Sequence, residues 1–149
     1  MATLLRTDSD NKDFQNLVVL LDADLKIRDG EDNAFYAQFN KIQSLRNCVV
    51  CYLDGQPVGC GAFKPYGESS VEIKRMYTLP DFRGRGLAHI LLKELELWAK
   101  ELNYKSCVLE TGKMQPEAIA LYKKAGYEII PNYGQYAGVE NSVCFQKFI

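Results

Sequence analysis

Residues 80–86 read Pro-Asp-Phe-Arg-Gly-Arg-Gly, and the chain then runs into Leu87, Ile90, Leu91, Leu95, Trp98 and Leu102, apolar positions at helical spacing. A basic, glycine-rich turn that opens a helix suits a phosphate-bearing ligand. Glycines admit close backbone approach, and the first helical turn points unpaired N–H groups outward with the positive end of the helix dipole behind them. Arg83 and Arg85 are expected to add mobile positive charge. Two other phosphate loops fail by residue type: a P-loop requires Gly-Lys-Ser/Thr, and a dinucleotide fingerprint requires Gly or Ala where His89 stands. An RNA-binding Arg-Gly tract would repeat, and this one occurs once. Taken alone, the motif also fits a plain structural turn.

The cysteines offer less chemistry. Cys48, Cys51, Cys60, Cys107 and Cys144 are an odd set for a disulfide framework and ordinary for a reduced protein. Cys48 and Cys51 form a C-x-x-C pair, but in a strand-like run positions three apart point to opposite faces. A zinc site would want more ligands, and the only histidine is His89. All five are expected to pack as small apolar residues, and no metal is expected.

A loop of this kind needs a strand to deliver it and a helix to carry it away. The spacing predicts a strand over 3–7 and a helix capped by Asp8 or Asp10, with Phe14, Leu17, Val18, Leu21 and Leu25 on one face. After Asp29-Gly30, a shorter helix is expected from Phe35, Tyr36, Phe39 and Ile42. A hairpin over 48–53 and 58–63 turns on Asp54-Gly55, and a third strand covers 70–79. Beyond the 87–102 helix follow a strand over 105–111, a helix over 116–125, a short strand to Ile130 and a final strand over 141–148. Helices interleaved with strands indicate an α/β or α+β domain around one sheet. The length of 149 residues and the composition, 47% hydrophobic and 25% charged, fit one globular domain spanning 1–149. With 18 basic against 19 acidic residues, net charge −1, no nucleic-acid partner is expected. No apolar run approaches the ~18 residues of a membrane span, so the expectation is no membrane association and a cytoplasmic location.

Three linked stretches carry a family resemblance. Arg83-Gly84-Arg85-Gly86-Leu87-Ala88 resembles the Arg/Gln-x-x-Gly-x-Gly/Ala motif of the GNAT superfamily, the acyl-CoA-dependent N-acetyltransferases. Val71 to Tyr77 looks like the strand that lines the acetyl-CoA arm there. Ala118-Ile119-Ala120-Leu121-Tyr122, followed by Gly126-Tyr127, resembles that family's Ala-x-x-x-Tyr helix and the strand after it. The resemblance is strongest over 68–127. It implies a central mixed, mostly antiparallel sheet flanked by about four helices, with acetyl-CoA as cosubstrate. Loop amides would hold the pyrophosphate, with Arg83, Gly84, Arg85, Gly86, Leu87 and Ala88 as the cradle. Gln115 stands where the family often has an asparagine touching the pantetheine arm, and Ala118 follows it. One amide of the splayed strand, nearest Met76 or Tyr77, would face the thioester oxygen.

Acetyl transfer requires a neutral amine, stabilisation of the developing oxyanion and a proton for the leaving thiolate. The resemblance implies Glu72, eleven positions before Arg83, as the base, and Tyr122 as the acid. Plainer readings stay open: Glu72 as a strand residue paired with Lys74, and Tyr122 as a core tyrosine. Lys74 shares the strand face of Glu72 and could meet the acceptor, as could Tyr133 and Tyr136 in the loop after Tyr127. His89 faces adenine or solvent, and Trp98 belongs to the core. The activity so implied is direct transfer, in a ternary complex, to the primary amine of a small polar molecule. A catalytically silent coenzyme A-binding module, a scaffold for protein interaction, and an enzyme acting on a protein or peptide amine are the alternatives. The oligomeric state, a homodimer included, is left open.

Overall fold

The computed structural model describes residues 1–37 and 44–149. Strand β1 (Ala2–Thr7) leads to helix α1 (Lys12–Asp29), which starts where the Asn11 side chain accepts from the Phe14 N–H. The cap is therefore neither Asp8 nor Asp10. Asn11 stands three residues before a free N–H of the first turn, the geometry a cap needs, whereas Asp8 accepts from the Asp10 N–H and shapes the turn ahead of the helix. Helix α1 buries Phe14, Leu17, Val18 and Leu21 and stops at Gly30, whose φ of 54° is a left-handed value. Helix α2 (Asn33–Ala37) contains Phe35 and Tyr36; Phe39 and Ile42 lie outside the described residues.

The expected hairpin forms from β2 (Asn47–Leu53) and β3 (Gln56–Tyr66), with positive φ at both Asp54 and Gly55 as a tight two-residue turn requires. Then come β4 (Ser70–Thr78), α3 (Leu87–Glu101), β5 (Ser106–Gly112), α4 (Pro116–Lys124), β6 (Glu128–Ile130) and β7 (Ser142–Phe148). The seven strands make one sheet in the order β1-β2-β3-β4-β5-β7-β6, antiparallel except for β4 beside β5. With four α-helices among the described residues, this is the mixed, mostly antiparallel α+β architecture the sequence implied.

Each face of the sheet has its own core. Helix α1 covers Cys48, Val50, Cys60, Ala62 and Tyr77, while α3 and α4 cover Val49, Cys51, Val58, Phe63, Leu109 and Phe145. Cys48 and Cys51 thus go to opposite sides, and all five cysteines are buried and unbridged. On α3 the buried line runs Leu87, Leu91, Leu95 and Ala99, four residues apart, with Leu92 and Glu96 beside it. The positions three apart swing off that line: Ile90 and Leu102 are exposed, and Trp98 is half-buried against Phe63 rather than fully in the core. Buried Glu96 is paired, accepting from the Tyr127 hydroxyl at 2.9 Å and facing Lys147 Nζ at 2.9 Å. Helix α3 sits close to β3 because Gly61 lacks a side chain; a Cβ there would lie 2.8 Å from Leu95 Cδ1.

The sheet forks in the middle. Strands β4 and β5 pair only from Ser70 to Glu72 against Ser106 to Val108. Just beyond, β4 bulges: Ala62 faces Lys74 and Cys60 faces Tyr77, so Arg75 and Met76 together oppose Gly61, and Arg75 takes φ 61°. Among the described residues no helix is long and apolar enough to cross a membrane.

Candidate active site

A cavity of about 720 Å³ opens in the fork. Glu72 to Thr78 of β4 form one wall, Glu110 to Gly112 of β5 and Ala118 and Tyr122 of α4 the other, and the 82–90 segment closes one end. From Ile73 onward the edge of β4 has no strand beside it among the described residues, so main-chain polar groups of that edge look into the cavity.

The end under α3 is built from main chain. Gly86 is the N-cap of α3 in a left-handed conformation, φ 79°, and the first helical bond runs from the Ile90 N–H to the Gly86 carbonyl. The N–H groups of the turn between have no partner within the helix. A Cβ at Gly84 or Gly86 would meet no protein atom within 4 Å, so the space beside both glycines is open. Both arginines are anchored rather than mobile. Arg83 Nε donates to the Thr78 carbonyl at 2.9 Å and its guanidinium covers the Tyr77 ring, while Arg85 lies over Phe82. Their charge is held at the turn by two aromatic rings that precede it, Tyr77 and Phe82.

The opposite end is built from side chains. Glu72 is 3% exposed and takes the Tyr133 hydroxyl on Oε2 at 2.7 Å, with Lys74 and Lys64 at 3.7 and 3.8 Å from Oε1. Burial pushes the Lys74 ammonium below the usual lysine range, and Glu72 opposes the shift. Glu110, on β5, lines the cavity with its Oε2 buried and unpartnered. Burial pushes its carboxyl up to about 7, against a hydrogen bond from Ser142. Ser142 in turn lies 2.9 Å from the Tyr36 hydroxyl. Tyr122 reaches the cavity from the other face of the sheet, its ring against Tyr127 and Phe145; burial and then the nearby Glu110 hold its phenol above the ordinary range. Such a tyrosine keeps its proton at neutral pH.

Residues 14–127 match the family model for the Acetyltransferase (GNAT) family. The chain belongs to that family. Over 85 residues it is 44% identical to the uncharacterised N-acetyltransferase YjgM of Escherichia coli K12, covering 55% of this chain and 50% of that protein. Over 100 residues it is 34% identical to an IAA acetyltransferase of Azospirillum brasilense, covering 66% and 65%. The chain spans about half the length of YjgM and of the similar fission-yeast N-acetyltransferase. A Klebsiella pneumoniae protein assigned as an acyl-CoA N-acyltransferase superposes with TM-score 0.83 at 29% identity over 99% of this chain and 97% of that one. An Elizabethkingia anophelis GNAT acetyltransferase with acetyl-CoA bound shares the fold, with TM-score 0.71 at 18% identity over 99% and 98%.

In this GNAT fold the cavity gathers Met76, Tyr77, Arg83, Gly84, Arg85, Gly86, Leu87, Ala88, Gln115 and Ala118, with Glu72, Lys74, Tyr122 and Tyr136. His89 also lines it, at the helix start. Tyr133 does not; it stands behind Glu72 and holds that carboxylate. Sequence reasoning missed Glu110, Asp29, Tyr36 and Arg75, which line the same cavity. A charged residue directly after the apolar run Cys107-Val108-Leu109, within the expected buried strand, was the available signal for Glu110. Arg75 is 6% exposed and pairs with Asp22 of α1, a bond that ties the bulge to the helix above it. Among the described residues no group of three or more His, Cys, Asp or Glu side chains is placed to hold a metal ion.

Proposed function

We propose that the chain is a single N-acetyltransferase domain that moves the acetyl group of acetyl-CoA directly to the primary amine of a small polar acceptor, in a ternary complex. The observation that carries this is one continuous cavity with a main-chain phosphate cradle at one end and buried carboxyls and phenols at the other, joined by the unpaired edge of β4. Amides over 85–88 bind the pyrophosphate, Gln115 and Ala118 flank the arm, and an N–H at Met76 or Tyr77 receives the thioester oxygen as charge develops on it. That an Elizabethkingia protein of the same fold binds acetyl-CoA supports acetyl-CoA as the ligand. Tyr122 donates to the leaving sulfur, and a carboxylate at the far end takes the proton of the nitrogen.

Direct transfer is supported by the cysteines. None lines the cavity, and burial pushes the thiols of Cys48, Cys60 and Cys107 up to about 12, far from the thiolate a covalent route needs. Lys74 and Tyr136 line the acceptor end, where the carboxyls of Asp29, Glu72 and Glu110 face the ammonium of Lys74, the Arg75 guanidinium beside it being paired with Asp22. That balance favours an acceptor arriving as an ammonium ion. Incubation with acetyl-CoA and a panel of diamines, free amino acids and lysine peptides is the test. The expected result is thiol release matched by acetylation of a small amine; thiol release without any acetylated amine, or a peptide preferred about a hundredfold (~2.7 kcal/mol), contradicts the proposal.

A further inference from the structure

Resting on the acetyltransferase reading, we propose that Glu110, and not Glu72, is the general base that takes the proton from the acceptor nitrogen. Position is the first ground. Val108 is the last residue of β5 paired with β4, opposite Glu72, and Glu110 stands two residues further on, so it shares the sheet face of Glu72 and Lys74 but lies past the fork, inside the cavity. Glu72 still belongs to the closed part of the sheet.

Availability is the second. A base needs an oxygen with an open lone pair directed at the reacting nitrogen. Both oxygens of Glu72 already face partners, the Tyr133 hydroxyl on one and two lysine ammonium groups near the other. Glu110 has a buried Oε2 with no hydrogen-bond partner among the described residues. A buried acceptor atom left open costs stability, and a transient amine in the cavity would satisfy it. The charged and titratable groups around it are Asp29 from α1, Tyr36 from α2, Glu72 and Lys74 from β4, Tyr122 from α4, Tyr136 from the turn before β7, and Cys144 on β7. Burial and the carboxylates raise the Glu110 carboxyl to about 7, and Lys74 and Ser142 restrain it, which leaves a group that is half-ionised where a base works best.

Geometry completes the pair. Glu110 and Tyr122 enter the fork from opposite faces of the sheet, so the attacking nitrogen and the leaving sulfur each have a protonic group on their own side. The nitrogen forms a bond to the acyl carbon, and the carbon–sulfur bond breaks with its electron pair on sulfur. The acceptor ammonium first gives one proton to solvent by way of Glu110; the second nitrogen proton then goes to Glu110 as the new bond forms, the sulfur proton comes from Tyr122, and the proton on Glu110 restores the Tyr122 phenol, so one proton is released per transfer. No further reactant is needed.

The test measures transfer from acetyl-CoA to whichever of spermidine, free amino acids or a serine N-terminal peptide the wild type acetylates fastest, from about pH 6 to about pH 10. Wild type should show a rising limb in kcat/KM with midpoint near the Glu110 value of about 7. Glu110→Gln should lose that limb and about 10²–10³-fold in rate at neutral pH, recover part of it where the amine deprotonates unaided, and bind acetyl-CoA as wild type does. Glu72→Gln should lose less than about tenfold and keep the limb. A limb retained at near-wild-type rate in Glu110→Gln, or lost in Glu72→Gln alone, overturns the role of Glu110 while leaving the acetyltransferase reading intact. No transfer by the wild type to any probe overturns both. Should Glu110→Gln not fold, Glu110→Asp decides: the limb moves if this carboxyl is the base, and an unmoved limb refutes it.

Discussion

The two ends of the cavity are made of different material. The end proposed for the coenzyme comes from one stretch, 76–90, with two contributions around α4, and would bind through main-chain amides beside arginines pinned by aromatic rings. The end proposed for the acceptor is assembled from α1, α2, β4, β5 and the turn before β7, through side chains as far apart in sequence as Asp29 and Tyr136. Backbone recognition depends on local conformation, so glycine spacing encodes it. Side-chain recognition depends on which strands the topology brings together. The first kind suits a cosubstrate with a constant diphosphate, the second an acceptor that can vary without disturbing the fold.

The largest effect that would sharpen this division is expected at Tyr122, where the ends meet. Tyr122→Phe keeps the ring against Tyr127 and Phe145 and removes only the proton, so kcat should fall by about 10²–10⁴-fold with acetyl-CoA affinity unchanged. Single-turnover kinetics paired with calorimetry would show it, and a matching loss of affinity would break the division. A smaller effect belongs to the coenzyme end. Gly86→Val strains a branched residue at φ 79° in a turn where a Cβ meets no neighbour, so the domain should stay folded while acetyl-CoA binds at least about tenfold more weakly with kcat little changed. Equal affinity would move the phosphate site elsewhere.

The smallest is a pH-dependent stability difference confined to the acceptor end. The folded Glu110 carboxyl, at about 7, sits above its ordinary value of 4.5, so between these pH values the folded state holds the extra proton. Stability therefore falls as pH rises through that window, is unaffected below it, and carries the full cost of the buried charge above it. Glu110→Gln should melt with wild type near pH 4.5 and roughly 2–8 °C higher at pH 8, from roughly 1–3 kcal/mol of relieved charge burial. Thermal melts across pH test this. A difference that is constant with pH would mean that Glu110 titrates normally.

This same contrast explains what the sequence could reveal. Hydrophobic period placed the strands and helices to within a few residues, and the Arg-Gly-Arg-Gly turn marked the start of α3 at the cavity, because each is decided by neighbours in the chain. The α1 cap was missed because Asp8, Asp10 and Asn11 are all competent caps, and only the path of the preceding turn selects among them. The anchoring of Arg83 and Arg85 depends on rings brought alongside by the turn, and a glycine motif says nothing about those. Glu72 was singled out by its spacing to Arg83, yet its burial against Lys64, Lys74 and Tyr133 follows from the register of β3 with β4 and from the fold of the 131–136 loop. Glu110 has no motif; its significance lies in where β5 parts from β4.

The most direct measurement follows the fate of the acetyl group. With isotope-labelled acetyl-CoA bound to the wild type, a single turnover is started by adding the preferred small amine and quenched for intact-mass analysis of protein and acceptor. A direct transfer across the fork places the label on the amine as free thiol appears, with no acetylated protein at any time point. Label accumulating on the protein before the amine, or thiol released with the amine unlabelled, would contradict it.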